Sequence, residues 1–246
     1  MSAEKRNMQV RWLGTVLVCG AFSCAQAATV TARVTWEEGG SKATRAHEAG
    51  NVVLWLTPVD SPGVPTSPPA QTSPRVRLVQ KNKSFEPHVL VVPVGSLVEF
   101  PNRDPFFHNV FSLFEGKRFD LGLYEAGTAR DVHFDKPGIS YIFCNIHPEM
   151  SAVVIAVETP YYATSDPRGE ITIRDVPAGR YTLRVWYEAA LAETLNSMTR
   201  EITISEENVG LGVLRLASAN VVQSHKNKYG RDYDPPAPDS PAYPHP

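Results

Sequence analysis

Apolar and polar residues alternate with a period of two over many short stretches of this chain. Such alternation is typical of half-buried β-strands, whose successive side chains point to opposite faces of a sheet. In the stretch 29–36, for example, Val30, Ala32 and Val34 share one face. Strands are predicted at 29–36, 51–56, 75–80, 89–92, 97–100, 108–113, 129–134, 139–144, 151–157, 170–176, 180–187, 200–205 and 209–216. We therefore predict an all-β chain, with a loop over 114–128 and a short helix or loop over 188–196.

Turn residues separate these short strands at close spacing, which favours a β-sandwich or barrel. Six of the 21 prolines lie between Pro58 and Pro74, and six more lie between Pro235 and Pro246. Proline donates no ladder hydrogen bond, so neither segment suits a sheet interior. We predict a Pro/Ser-rich linker at 63–74 and a disordered tail at 219–246.

The first 27 residues have the composition of a secretory signal peptide. A basic start with Lys5 and Arg6 precedes a short apolar run at 12–24, and Ala25-Gln26-Ala27 is an A-x-A cleavage site. The run is too short to cross a bilayer comfortably, and the residues ahead of its cysteines suit lipid attachment poorly. We therefore expect cleavage near Ala27/Ala28, a periplasmic or secreted protein, and no stable membrane span in the mature chain.

The amino-acid composition limits the kinds of core, binding partner and cysteine chemistry that the chain can have. Hydrophobic residues make up 42% of the chain, which is enough for a sizeable core. The formal net charge is −2, with 24 basic and 26 acidic residues, so no basic surface points to nucleic acid. Of the 3 cysteines, Cys19 and Cys24 leave with the signal, and Cys144 remains as a lone thiol in an oxidising compartment. Such a thiol is either a small buried hydrophobe or an occupied metal ligand.

The candidate chemistry lies around Cys144. Cys144, His147 and Met150 follow one another at a spacing of Cys-x2-His-x2-Met, and His108 stands upstream on another predicted strand. A thiolate, two imidazoles and a weak thioether form the ligand set of a blue-copper electron-transfer centre. This joint spacing is more specific than any single residue. The remaining histidines are interpreted as ordinary surface or core residues: His47, His88, His133, His225 and His245.

Other metal sites fit these residues less well. Zinc accepts Cys and two His, but a methionine is an unattractive fourth ligand for it. A thiolate-bridged binuclear copper centre needs two cysteines, and a trinuclear oxidase cluster needs His-x-His pairs, which the chain lacks. The sequence therefore predicts one copper ion, held by His108, Cys144, His147 and Met150.

The region 75–158 resembles the cupredoxins of the plastocyanin/amicyanin type. The resemblance is carried by Pro87–Gly95, Phe107–Val110 and Tyr141–Met150. It implies a Greek-key β-sandwich, with His108, Cys144 and His147 as equatorial ligands and Met150 as the axial one. It also implies that Asn109 ties the two ligand-bearing segments together by hydrogen bonding.

A second resemblance covers Asp166–Trp186, which looks like the carboxypeptidase regulatory-like, transthyretin-like β-sandwich. That family normally has a strand pair just before this segment, and the best candidates here lie at 29–36 and 51–56. We therefore predict a smaller sandwich split into halves at 28–62 and 159–218, with the cupredoxin domain inserted between them. This fold by itself implies no catalysis.

These features predict an exported type 1 (blue) copper protein that transfers single electrons between redox partner proteins, and not an enzyme. The resemblance to the cupredoxins implies that electrons would leave this protein through His147, on the exposed loop. Two alternatives remain open: a copper-binding or assembly module that carries the metal as cargo, and a partner-docking scaffold without redox turnover.

Overall fold

The computed structural model describes residues 27–36, 50–60, 75–113, 116–216 and 225–233. These residues form strands joined by turns, together with one short helix, α1 (Ala192–Met198). The strands are β1 (Ala28–Trp36), β2 (Val53–Pro58), β3 (Val76–Arg77), β4 (Val79–Lys81), β5 (Ser84–Glu86), β6 (Val89–Pro93), β7 (Ser96–Pro101), β8 (His108–Ser112), β9 (Phe119–Tyr124), β10 (Ala129–Phe134), β11 (Gly138–Cys144), β12 (Ser151–Val157), β13 (Tyr162–Thr164), β14 (Glu170–Val176), β15 (Gly179–Trp186), β16 (Arg200–Ile204) and β17 (Val209–Leu216). The prediction of an all-β chain is confirmed. Helix α1 begins inside the stretch 188–196, which is predicted to be a short helix or a loop, and ends two residues beyond it at Met198.

The first sandwich is built from β3 to β12. One sheet has the strand order β6-β12-β11-β8-β9, and the facing sheet has the order β10-β7-β3. The short hairpin β4–β5 lies beside them, and β12 runs parallel to β6 while it pairs antiparallel with β11. The inward faces of the two sheets bury an apolar core that includes Phe100, Phe134, Ile142, Cys144 and Met150. The predicted copper ligand Cys144 therefore belongs to the packed core of a sandwich.

The second sandwich combines strands from both sides of the first. Its sheets have the orders β14-β1-β17 and β13-β2-β15-β16. Strand β1 pairs antiparallel with β14 and parallel with β17, and β2 lies between β13 and β15. The chain thus leaves this sandwich after β2, forms the first sandwich, and returns at β13. The resemblance of the second sandwich to the carboxypeptidase regulatory-like family stays a prediction.

The two sandwiches meet through a separate apolar cluster. Val53 and Trp186 come from the second sandwich, and Val89, Val153 and Ile155 come from the first. All five side chains are at most 7% exposed. Strand β12 is consequently buried on both faces, which explains why its sequence SAVVIAV is a continuous apolar run rather than an alternating one.

The structure corrects four details of the predicted elements. Strand β9 lies inside the stretch 114–128, which is predicted to be a loop. Its sequence FDLGLY alternates, but Gly116, Gly122 and Gly127 in the same stretch favour turns. The predicted strand at 75–80 is divided at Leu78 into β3 and β4, and the short strands β5 and β13 have no counterpart in the prediction. All four differences concern short or irregular segments, whose local pattern is weak.

Some predictions fall outside the described residues. The structure does not describe residues 1–26 of the predicted signal peptide or the predicted linker at 63–74. Of the predicted tail at 219–246, it describes only residues 225–233. Among the residues that are described, no helix has the length and apolar character needed to cross a bilayer.

Candidate metal centre

The pairing of β8 with β11 brings His108 next to Cys144. Cys144, the last residue of β11, pairs with Val110 on β8. Because side chains alternate along a strand, His108 lies on the same face as Val110, two residues further along. His147 follows in the loop between β11 and β12. Strand register and one short loop are therefore sufficient to bring the three side chains together.

The three candidate ligand atoms form a nearly regular triangle. Cys144 Sγ lies 3.6 Å from Nδ1 of His108 and 3.6 Å from Nδ1 of His147, and the two Nδ1 atoms are 3.1 Å apart. A point equidistant from all three lies about 2.0 Å from each, which is close to a metal–imidazole bond length. The three residues form a group of appropriate chemistry and spacing to hold a metal ion. This spacing would allow all three side chains to bind the same metal ion.

The ligand loop, residues 144–150, is closed by its own backbone. The Cys144 N–H donates to the Met150 carbonyl at 3.3 Å, and the Met150 N–H donates to the His147 carbonyl at 3.1 Å. Met150 is fully buried and packs in the same apolar core as Cys144. The loop thus directs Met150 inward together with Cys144, while its assignment as the axial ligand stays a prediction.

Asp104 holds His108 in position, and sequence reasoning missed it. His108 Nε2 donates to Asp104 Oδ2 at 2.8 Å. The same carboxylate accepts backbone N–H groups from Asn82 at 2.6 Å and Lys83 at 3.0 Å, in the β4–β5 turn. A proton held on Nε2 leaves the Nδ1 lone pair free for a metal, which is the usual arrangement behind a ligand histidine. In the sequence Asp104 lies in a polar corner and has the signature of an ordinary turn residue.

The protonation states of Asp104 and of the two candidate ligand histidines favour metal binding. Burial disfavours ionisation of Asp104, but hydrogen bonds from Lys83, His108 and Asn82 prevail and lower its pKa. Burial lowers the pKa of His108, although Asp104 opposes this effect. Burial, with the neighbouring His108, also lowers the pKa of His147. Both imidazoles are therefore neutral near pH 7 and offer a lone pair to a metal.

The thiol of Cys144 carries its proton in the metal-free protein. Burial raises its pKa, against the effect of backbone hydrogen bonds from Asn109, Ile146 and His147. A metal ion must therefore displace this proton when it binds the thiolate. The backbone hydrogen bonds are already aimed at the sulfur and would stabilise the thiolate that a metal requires.

One side of the centre approaches the surface. His147 is 9% exposed, whereas His108 and Cys144 are 0% exposed. The Phe106 ring packs against both imidazoles, with centroid distances of 5.2 Å to His108 and 5.5 Å to His147. Phe107, the residue before His108, is 49% exposed, and Ile146, the residue before His147, is 45% exposed. Each candidate ligand histidine is thus preceded in sequence by an exposed apolar residue.

Asn109 connects the ligand-bearing segments through its backbone. Its carbonyl accepts the Asn145 N–H at 3.3 Å, which joins β8 to the ligand loop. Its side-chain amide instead donates to Asp120 Oδ1 on β9 at 2.7 Å. The structure therefore assigns the connection implied by the resemblance to the main chain and gives the side chain a different partner.

Three of the histidines that are predicted to be ordinary surface or core residues have defined partners. His88 Nε2 contacts Glu188 Oε2 at 2.5 Å, and His225 Nε2 donates to the Pro148 carbonyl at 2.6 Å. His133 is exposed, as its position opposite Val132 and Phe134 predicts, and its Nε2 donates to the Gly95 carbonyl at 3.0 Å. The cluster within 4.8 Å contains His108 and His147 as its histidines.

Comparison with known proteins gives structural likenesses only. No protein-family model and no curated protein matches the chain. A purple cupredoxin from Nitrosopumilus maritimus is 22% identical, with 33% of this chain and 99% of that chain covered and a TM-score of 0.31. A Cu(I) amicyanin variant is 21% identical over 36% of this chain and 88% of its own, with a TM-score of 0.33. A copper-containing nitrite reductase from Thermus scotoductus SA-01 is 23% identical over 51% of this chain and 28% of its own, with a TM-score of 0.34.

Proposed function

We propose that this protein is an exported carrier of single electrons, with one copper ion bound by His108, Cys144 and His147 and weakly by Met150. The observation that carries the proposal is the triangle of Nδ1, Sγ and Nδ1 atoms, with sides of 3.1–3.6 Å. Two imidazoles, one thiolate and one thioether suit copper better than zinc, which has little affinity for a thioether. Copper held there would supply one-electron redox chemistry.

The chain's own residues adapt the site to this role. Asp104 keeps Nδ1 of His108 available, and the strand pairing of β8 with β11 fixes Cys144 beside it. Burial of Cys144 and Met150 excludes water and protects the thiolate from side reactions. Ligands that are held in place before the metal binds move little when its charge changes, which keeps the barrier to electron transfer low.

The electron would enter and leave at His147. This residue has the exposed edge of the cluster, and Phe107 and Ile146 expose apolar side chains beside the ligand positions in sequence. An apolar surface of this kind suits brief contact with another redox protein. A carrier requires no bound substrate, and we therefore propose that the protein is not an enzyme. We retain export to the periplasm or beyond as part of the proposal, because β1 begins at Ala28, beside the predicted cleavage site.

The test is to add Cu(II) to the metal-free mature protein and record its visible spectrum. We expect an intense thiolate-to-copper absorption that Cys144→Ser abolishes and that the exposed-histidine control His133→Ala retains. A colourless wild-type complex would contradict the blue-copper proposal. Voltammetry of the loaded protein then separates the roles, because a carrier gives a fast reversible wave whereas a site that carries copper as cargo does not.

A further inference from the structure

Residues 225–233, which we call the brace segment, lie against the ligand loop of the first sandwich. In sequence they follow β17 of the second sandwich, yet their partners are Asp120, Phe143, Cys144, Asn145 and Pro148. The brace segment lies within the stretch that the sequence predicted to be disordered from residue 219. It differs from that prediction because its backbone and side chains have specific hydrogen-bond partners.

Two aromatic residues of the brace segment contact the ligand loop at both ends. Tyr233 donates its hydroxyl hydrogen to the Cys144 carbonyl at 2.7 Å. His225 Nε2 donates to the Pro148 carbonyl at 2.6 Å, and its ring stacks on Phe143 with a centroid distance of 4.1 Å and an interplanar angle of 21°. The Tyr233 hydroxyl and His225 Nδ1 also lie 3.2 Å apart. One connected pair of side chains therefore reaches the loop before and after His147.

Lys228 adds two further connections. Its backbone N–H donates to Asn145 Oδ1 at 2.9 Å, and its ammonium group pairs with Asp120 Oδ2 at 2.8 Å. Asp120 also accepts the side-chain amide of Asn109, the residue after His108. Lys228 thus links the ligand loop to the strand that carries the other histidine of the metal cluster.

These contacts supply hydrogen-bond partners to groups of the ligand loop. The Cys144 and Pro148 carbonyls and the Asn145 side chain all have hydrogen-bond partners in the brace segment. A loop held by its own few backbone bonds opens more readily than one with additional fixed partners. The brace segment therefore restricts the backbone on both sides of His147, between Cys144 and Met150.

We propose that the brace segment positions the copper-ligand loop, with Tyr233, His225 and Lys228 as positioning residues. This proposal deepens the proposed function and rests on it for the copper. The proposal means that a segment outside both sandwiches determines how rigidly Cys144 and His147 are held. The rigidity of the loop in the metal-free protein and the redox properties of the loaded protein should both depend on it.

The first test measures amide hydrogen exchange in the metal-free mature protein. Tyr233→Phe removes one hydroxyl, and His225→Phe keeps an aromatic ring on Phe143 while it removes the hydrogen bond to Pro148. We expect exchange at Asn145 and Met150 to accelerate by about two- to tenfold in each variant, which corresponds to the loss of one ordinary hydrogen bond. Tyr181→Phe is the matched control, because the Tyr181 hydroxyl donates to the Pro177 carbonyl at 2.9 Å in the second sandwich.

The control variant should leave exchange in the ligand loop unchanged. Unchanged exchange in both Tyr233→Phe and His225→Phe would overturn the proposal, as would an equal acceleration throughout both sandwiches. The second test loads the same proteins with copper and compares their reduction potentials and Cu(I) release rates. We expect faster release and a shifted potential in the two brace variants, but not in Tyr181→Phe.

The two proposals fail in different ways. If wild-type protein binds no copper but loop exchange accelerates in the brace variants, the proposed function fails and the positioning of the loop stands. If wild-type protein is blue and loop exchange, potential and release rate are the same in all variants, the brace proposal fails and the proposed function stands.

Discussion

Asp104 connects the candidate metal centre to the β4–β5 turn by hydrogen bonds. One buried carboxylate accepts hydrogen bonds from His108 and from two consecutive backbone N–H groups at Asn82 and Lys83. Those two residues have φ angles of 54° and 53°, a left-handed turn conformation that non-glycine residues rarely adopt. Asp104 thus stabilises an unfavourable turn and orients a candidate ligand at the same time.

We predict that Asp104→Asn lowers the affinity for Cu(I) by about 10- to 100-fold, the usual effect of removing a partner of a ligand histidine. The amide cannot offer two anionic oxygens to the turn and the imidazole together. Competition with a chromophoric Cu(I) chelator would measure the affinity. Asp166→Asn is the control, because Asp166 also accepts backbone N–H groups in a turn, at Arg168 and Glu170, but lies in the second sandwich. Equal affinity in Asp104→Asn and wild type would contradict the prediction.

At the scale of elements, the pattern of polar and apolar side chains along a strand reflects what covers each of its faces. Strand β10 alternates, with Val132 and Phe134 buried and His133 exposed, because only one face meets a core. Strand β12 is apolar throughout, because the first sandwich covers one face and the second sandwich covers the other. The sequence of β12 therefore indicates burial on two sides, but it does not indicate which element lies on the second side.

The contact between His88 and Glu188 links the residue before β6 to the segment after β15, across the two sandwiches. His88 Nε2 lies 2.5 Å from Glu188 Oε2, and its Nδ1 lies 3.2 Å from the Ser151 carbonyl. The hydrogen bond with Glu188 raises the pKa of His88, although burial opposes it. A raised pKa means that the contact stabilises the folded protein fully at a pH below the unfolded value near 6.5, and that this contribution is lost as the pH rises through the folded value.

We predict that Glu188→Gln lowers the free energy of unfolding more at pH 5.5 than at pH 8.5. The difference should stay below about 1 kcal/mol, because the His88 side chain is 39% exposed and solvent screens the pair. Urea unfolding at the two pH values would measure it. Glu170→Gln is the control, because its partner Arg33 keeps its charge over this range. A loss of stability in Glu188→Gln that is the same at both pH values would rule out the charged pair.

At the scale of the whole molecule, two sandwiches with their own cores share one apolar interface. Each has a closed cluster of buried side chains, and a third cluster joins them through Val53 and Trp186 on one side and Val153 and Ile155 on the other. Interfaces of this kind couple the unfolding of domains when they are large and apolar. The candidate metal centre lies in the first sandwich, between the two parts of the chain that form the second sandwich.

We predict that Trp186→Ala costs about 3–5 kcal/mol and separates thermal unfolding into two transitions. Trp186 is 4% exposed and fills the interface rather than either separate core. Differential scanning calorimetry would show the separation. Tyr181→Ala is the control, because it removes a similarly buried ring from the core of the second sandwich alone. A single transition in Trp186→Ala, with a cost no larger than that of a surface substitution, would show that the coupling of the two sandwiches does not depend on Trp186.

Much of the fold and part of the site follow from local sequence. Period-two alternation predicts the all-β class because each strand's faces depend on residues two apart. The spacing of Cys144, His147 and Met150 predicts a ligand loop because three ligands from one short loop need no knowledge of the rest of the fold. Strand β9 is not predicted because glycines at 116, 122 and 127 favour turns in this stretch. Only the structure shows that its pairing with β8 shifts in register, which leaves Leu123 exposed and Tyr124 buried.

The sequence by itself determined which residues have metal-binding chemistry and which stretches form strands. The tertiary structure alone decided that Nδ1 of His108 lies 3.1 Å from Nδ1 of His147, that Asp104 orients His108, and that residues 225–233 lie against the ligand loop. The reason is physical. A strand or a short loop is specified by neighbours in sequence, whereas these contacts join side chains that strand pairing and the return of the chain bring together.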